Sequence, residues 1–312
     1  MSKRSGLGSA FYVGTYDVSG DIGAINSATS SRALGDVSSI QSLGTERIPL
    51  RSDGEISYSA FWNTAAGRSV PVLADLADAH ELVTWADGTA LGSYAASLWA
   101  HKVNFSSVSG QDGSLGITGQ AMGSLGTRLE WGQLLTIGKQ TIAATQAIAS
   151  WLANTAYALN DLVVPTTANG HYYKATTGGT SDMTTEPTFP TNGTTVTDGT
   201  VVWTDQGLLP NGLDDLFPRT ATTSTAFGLA AYLHVLSIGS GSATFTVQDS
   251  SNRTAWTNVT GGAFTAASAA GTQRIQTSKT GTVRRYVRVN VTGTFTNVVA
   301  VVNYVRYLNA QP

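Results

Sequence analysis

Four histidines, His80, His101, His171 and His234, stand far from one another along the chain. A metal site draws instead on closely spaced histidines, thiolates and carboxylates. Cysteine is absent, which excludes thiolate ligation and a disulfide framework, and each histidine reads as a surface or packing residue. Two carboxylate pairs have the composition of an acid/base couple: Asp214 beside Asp215, and Asp182 with Glu186. Glycoside hydrolysis sets two carboxyl groups roughly 5 to 9 Å apart across a cleft. Asp214 and Asp215 fall in NGLDDLFP, where turn and cap roles are the default. The patterns G-x-S-x-G, G-x-x-x-x-G-K-[ST] and H-E-x-x-H and the EF-hand loop do not occur. The glycine-rich GLG at Gly6 to Gly8 and GSGS at Gly239 to Ser242 lead into no helix that could hold phosphate. The residues predict no enzyme, no metal and no cofactor.

The remaining chemistry is aromatic. Trp151, Tyr157, Tyr172, Tyr173 and Trp203 crowd one block of the chain. A pyranose ring stacks its C–H face on an aromatic plane, so exposed Trp and Tyr on a rigid β surface bind glycans without charge. A β unit this small also needs its large side chains for packing. Trp151, Tyr157 and Tyr173 are therefore expected first as core. Tyr172 must point away from Tyr173 if both lie on one strand, which makes it the better exposed candidate. Trp203 stays open between the two roles.

Short strands and tight turns must position these residues. Of 312 residues 41% are hydrophobic, 34 are Gly and only 12% are charged, about half the roughly 25% charge of an ordinary globular chain. Low surface charge removes a barrier to self-association. No segment offers the roughly 18 uninterrupted apolar residues of a membrane helix. Gly and Ser break the basic start before any signal-like apolar run, and a soluble protein made in a cytoplasm is expected. EISYSAFW, SLWAHKVNFSSV, SLGITGQAMG, AYLHVLSI, SATFTVQDS, VRRYVRVNV and NVVAVVNYVRYL read as strands. SVPVLADLADAHELV predicts one helix, with Pro71 near its first turn and Val72, Leu76 and Leu82 in its apolar stripe. Residues 17–44 show no strong period and predict a long loop ordered against another chain. Asn169 and Gly170 mark a hairpin. The expected organisation is all-β with one short helix: a β domain over 1–148, an inserted β module over 149–208 and a C-terminal β domain over 209–312. Residues 216–312 carry eight Lys and Arg against one Asp. Only Arg284, Arg285 and Arg288 cluster, and surface positions or pairing with a neighbouring copy are expected of them.

The module, with Trp151, Tyr157, Asp161, Tyr173, Ala175 and Trp203 in register, resembles the small chitin- and cellulose-binding β modules. Asn160 stands where that family favours Gly, and the loop from Thr176 to Asp198 is longer. The flanks FYVGTYDVSGDI, TRLEWGQLLTIGKQT, STAFGLAAYLHVLSIGSGSATFTVQDSSNRTAWTNVTGGAFT and TVRRYVRVNVTGTFTNVVAVVNYVRY resemble the major tail tube protein of long-tailed bacteriophages with an added C-terminal domain. That resemblance implies a virion protein of the tail: a β sandwich with a flanking helix, closing in about six copies into rings that stack around a lumen. Implied partners are further copies, tape measure protein, tail terminator and genomic DNA passing without specific binding. The module would be displayed outside toward a host-surface glycan, and no membrane is involved. Asn26, Arg32 and Asp36 become the ring-stacking candidates. A cationic wall would retain DNA, so the acidic N-terminal region is expected to line the lumen, with Arg284 to Arg288 away from it. Ring closure also expects the module's ends, near Ser150 and Gly207, side by side. The alternatives are another phage structural protein, at the tail tip or decorating the head, or a secreted carbohydrate-binding protein.

Overall fold

The computed structural model describes residues 7–76, 79–143, 149–167, 169, 171–208, 213–214, 224–252 and 255–310. The protein is all-β with one short α-helix, as the sequence predicts. Its first region comprises β1 (Ala10–Val13), β2 (Tyr16–Asp17), β3 (Ile22–Asp36), β4 (Arg47–Phe61), α1 (Ser69–Leu73), β5 (Glu81–Ala86), β6 (Tyr94–Ser109), β7 (Leu115–Gly123), β8 (Glu130–Leu134) and β9 (Gln140–Ala143). The long β6 organises it. Its first half pairs with β5 on one edge and β8 on the other, and its second half pairs with β7. Phe11, Val13, Ile56, Tyr58, Val83, Leu98 and Ile117 fill the core beneath α1, to which Val72 and Leu73 contribute.

Two sequence expectations are corrected here. The helix stops at Leu73 instead of running to Val83. Leu76 of the expected stripe is 45% exposed, whereas Leu82 is fully buried within β5, so burial in the sheet decides the conformation of 81–86. The expected loop of 17–44 is mostly strand: β3 pairs with β4 from Ile22↔Ala60 to Asp36↔Arg47. Its text lacks a period because the outer half of this hairpin buries neither face, so nothing selects alternation.

The hairpin leaves the sheet where β7 ends. The last rung between β4 and β7 is Glu55↔Met122, and beyond it residues 30–54 project as a two-stranded arm about 20 Å long by strand rise. At the arm's base a Cβ on Gly54 would lie 2.2 Å from the Leu129 amide nitrogen. Only glycine lets the loop before β8 cross there.

The C-terminal region adds β17 (Leu213–Asp214), β18 (Leu229–Ile238), β19 (Gly241–Ser250), β20 (Thr257–Ala263), β21 (Gly271–Gln276), β22 (Tyr286–Phe295) and β23 (Asn297–Arg306), counting past the module's strands. One sheet runs β17-β22-β19-β20, and it packs over β23-β18-β21 around Leu233, Val235, Phe245, Val247, Val287 and Val302. The second of these sheets continues into the first region, because β23 pairs with β8 and β9. Strands of the first region and β18, β21 and β23 of the C-terminal region thus share a twelve-stranded sheet. Strand β18 is buried on both faces: Leu229, Leu233 and Val235 toward the C-terminal sandwich, Ala230 and Tyr232 toward Leu82 and Trp99.

The module holds β10 (Ala149–Ser150), β11 (Ala156–Tyr157), β12 (Leu162–Val164), β13 (His171–Thr177), β14 (Gly179–Thr180), β15 (Thr195–Asp198) and β16 (Val201–Leu208). Its main sheet runs β10-β12-β13-β16-β15. Strands β12 and β13 form the antiparallel pair that Asn169 marks; Gly170 lies outside the described residues. Ala149 is level with Asp205 through Val163 and Tyr173. The two ends of the module therefore share one level but stand three strand spacings apart, about 14 Å, and are not side by side.

Candidate functional site

The projecting arm carries apolar side chains that stay exposed. Ile40 and Leu43 at its tip are fully exposed, and Leu34, Val37, Ile48 and Leu50 are about half exposed. At the other end of the same strands, roughly 45 Å away along β4 by strand rise, Phe61, Val108 and Leu115 are exposed too. They line a groove of about 340 Å³ with Ala60, Ile117 and Thr118. Of the stacking candidates, Asn26 sits in the basal part of β3, where it accepts a hydrogen bond from Ser59 Oγ at 3.1 Å. Arg32 lies on the projecting part, opposite Ser52. Asp36 closes the last rung and accepts the Ser38 N–H at 2.8 Å. Hydrogen bonds from the Ser38 side chain and backbone hold its carboxyl below the usual range, so it shapes the turn into the tip.

Within the module, the aromatics are mostly core. Trp203 and Tyr173 are fully buried and Trp151 nearly so, packed with Phe189 and Val201. Asp198, 2% exposed, is their anchor. Its Oδ2 accepts the indole N–H of Trp151 at 2.7 Å and of Trp203 at 2.9 Å, while Oδ1 accepts the Asp182 N–H at 2.8 Å. Tyr157 stands edge-on to Trp203, 4.8 Å between centroids, and its hydroxyl accepts the Leu152 N–H at 2.9 Å. The Tyr173 hydroxyl donates to the Pro190 carbonyl at 2.8 Å. Tyr172, on the opposite face of β13, is half-buried and of these five rings is the one outside the module's core cluster. Asn160 has φ 75°, in the left-handed region where Asn substitutes for Gly; Asp161 caps that turn by accepting the Ala158 N–H at 2.7 Å. The sequence reading missed Asp198, although an acidic residue two strands' reach from paired tryptophans is a recognisable partner for buried indoles.

The paired carboxylates of the module serve its turns. Asp182 accepts the N–H groups of Thr184 and Thr185, both at 2.9 Å, and Glu186 accepts the Thr166 N–H at 2.7 Å, so the pair serves two separate turns. Asp214 lies in β17, and Asp215, like Gly6, lies outside the described residues. Among the described residues no group of three or more His, Cys, Asp and Glu could hold a metal. Of the arginine cluster, Arg284 binds Asp249 at 2.6 Å, Arg285 lies over Tyr286 and Arg288 over Trp256, 4.7 and 4.4 Å from the ring centroids. Glu130, also missed, is a hub at the seam between the two regions. It accepts hydrogen bonds from Tyr232 Oη, from Tyr307 Oη at 2.8 Å and from Arg274 Nη2 at 3.0 Å. Burial and the adjacent Glu130 push both phenols up.

No family model matches the chain, and no curated protein does. Among solved structures it aligns with the Dit protein of phage SPP1, titled a paradigm of the hub adsorption apparatus in phages infecting Gram-positive hosts, at TM-score 0.31 and 8% identity over 96% of this chain and 99% of that one. It also aligns with a chain of the phage p2 baseplate in its activated conformation with Sr, at TM-score 0.28 and 9% identity over 96% and 98%. With Ca the corresponding values are 0.26 and 10% over 96% and 99%.

Proposed function

We propose that the protein is a non-enzymatic structural subunit of a phage tail, built to assemble head-to-tail with copies of itself. The observation that carries this reading is the pairing of an apolar arm at one end of β3 and β4 with an apolar groove at the other. A surface that fits a different surface on an identical copy makes a heterologous contact, which closes into rings or propagates as a filament. Covering Ile40 and Leu43 fully and the four half-exposed residues in part is worth roughly 6 to 12 kcal/mol per arm before the costs of association. The sequence resemblance to tail tube proteins supports stacked rings of about six copies in the virion tail. In that setting Arg284 to Arg288 lie away from the lumen, whose wall is built from the acidic N-terminal region, and tape measure and terminator proteins are the further partners. The module is then an external appendage, with Tyr172, which lies outside its core cluster, offered to a host-surface glycan.

Negative-stain electron microscopy of the purified parent and of the double variant Ile40→Asp, Leu43→Asp tests the reading. Stacked rings from the parent and folded, unstacked protein from the variant support it. Tubes of normal length from the variant remove the arm from the mechanism. Single rings that never stack, from the parent itself, assign the protein to the tail tip instead.

A further inference from the structure

The four histidines are far apart in sequence, but the sheet of the first region brings two of them into contact. His80 immediately precedes β5, whose first rung pairs Glu81 with Ala100, so it stands beside His101 at the next position of β6. The two rings lie 4.3 Å apart between centroids, tilted at 46°. On its other side His101 is opposite Met122 of β7. The neighbours of these residues along the strands turn inward: Ala100 and Ala121 belong to the core, and Lys102 Nζ donates to the Val72 carbonyl at 2.7 Å. By alternation His101 and Met122 share the opposite face of the sheet. Cross-strand neighbours set their Cβ atoms roughly 5 Å apart, within reach of the long, adaptable thioether of Met122. His80 is exposed, and His101 and Met122 are half-buried.

We propose that His80, His101 and Met122 form a binding site for monovalent copper. An imidazole nitrogen holds a first-row metal at roughly 2.0 Å, which places the centroids of two adjacent ligand rings roughly 4.5 Å apart. The observed 4.3 Å is close to that separation. Ser124 Oγ lies 2.9 Å from His80 Nδ1, and the Ser124 N–H is itself tied to the Trp99 carbonyl at 2.9 Å. By accepting the Nδ1 proton this hydroxyl leaves the Nε2 lone pair for the metal and orients the ring, as the outer partner of a ligating histidine does. Among the described residues His101 makes no side-chain hydrogen bond, so neither of its nitrogens is committed elsewhere. The donor set selects the ion. Among the described residues no carboxylate completes the pair, so the site has no charge with which to hold calcium or magnesium. Two imidazoles and a thioether are neutral donors, and a soft thioether favours Cu(I) over the divalent ions that imidazole alone would take.

Titration of the untagged full chain with Cu(I), under ascorbate and without oxygen, against a chromophoric Cu(I) chelator tests this. Saturable binding is expected, with His101→Ala and Met122→Leu each lowering the affinity by about tenfold or more. Zn²⁺ affinity should fall with His101→Ala and not with Met122→Leu. X-ray absorption at the copper edge of the parent protein should show nitrogen and sulfur together in the first shell. Absence of saturable binding, equal Cu(I) affinity in either variant and the parent, or a copper shell without sulfur overturns the proposal. The absorption measurement uses the parent protein and stands whether or not either variant folds.

Discussion

His234 lies in the middle of β18, fully buried between the two regions, and its protonation is predicted to open that seam. Its Nδ1 faces the Gly14 carbonyl at 2.8 Å and its Nε2 the Thr84 hydroxyl at 2.8 Å. A carbonyl only accepts, so Nδ1 carries the proton and Nε2 accepts from Thr84. The order continues one way: Thr84 Oγ1 lies 2.7 Å from Ser97 Oγ, which accepts from Asn303 Nδ2 at 2.8 Å. A second proton on the imidazole would reverse the Thr84 and Ser97 hydroxyls and place a charge out of reach of water. Burial accordingly lowers the pKa from 6.5 to about 4, with the Gly14 carbonyl opposing weakly. The folded state then binds fewer protons than the unfolded state between those values. Stability is whole above pH 6.5 and falls as pH drops toward 4, by about 3 kcal/mol in all. Urea unfolding at half-unit steps from pH 7 to pH 4.5 should show this slope. His234→Gln should be less stable at pH 7 yet flatter with pH, the difference between the two curves isolating His234 from the carboxylates. Parallel curves, or an imidazole proton resonance of His234 titrating near 6.5, would refute the reasoning.

Two further outcomes concern the module. Asp198→Ala leaves two buried indole N–H groups without acceptors, at about 1–3 kcal/mol each, and is expected to split the thermal melt into an early module transition and an unchanged main one; a single unshifted transition would contradict the anchor role. Replacing residues 150–207 with a Gly-Ser linker of about eight residues, ample for a 14 Å gap at roughly 3.3 Å per residue, should leave the main transition and any tubes intact, while Tyr172→Ala alone should reproduce whatever adhesion to polysaccharide the excision abolishes.

Strand text was legible wherever one face is buried and the other wet. It misled in the arm, where that condition fails, and at 81–83, which read as helix but lie in β5. The arm buries neither face, so Ser30, Ser31, Ala33 and Gly35 read as loop although each belongs to β3. Strand β18 buries both, so its Leu-Ala-Ala-Tyr-Leu-His-Val run is solidly buried. His234 there is a seam residue, which a lone histidine in apolar text does not announce. The aromatic block failed differently. Its spacing identified the module, but spacing records that rings recur and not which way they face. Only the shared acceptor Asp198 shows that Trp151 and Trp203 point inward together.

The placement of aromatic residues separates stability from recognition. In the module Trp151 and Trp203 are sealed around a carboxylate that accepts from both, so their polar edges are satisfied internally. On the β5-β6-β8 face Trp85 packs against the core of the first region, and Trp131, 40% exposed, meets it edge to face. A carboxylate that accepts two buried indole N–H groups locks a fold, because losing it leaves both donors unmatched. Under the proposed role a glycan contact falls instead to Tyr172, the ring of the five that lies outside this core.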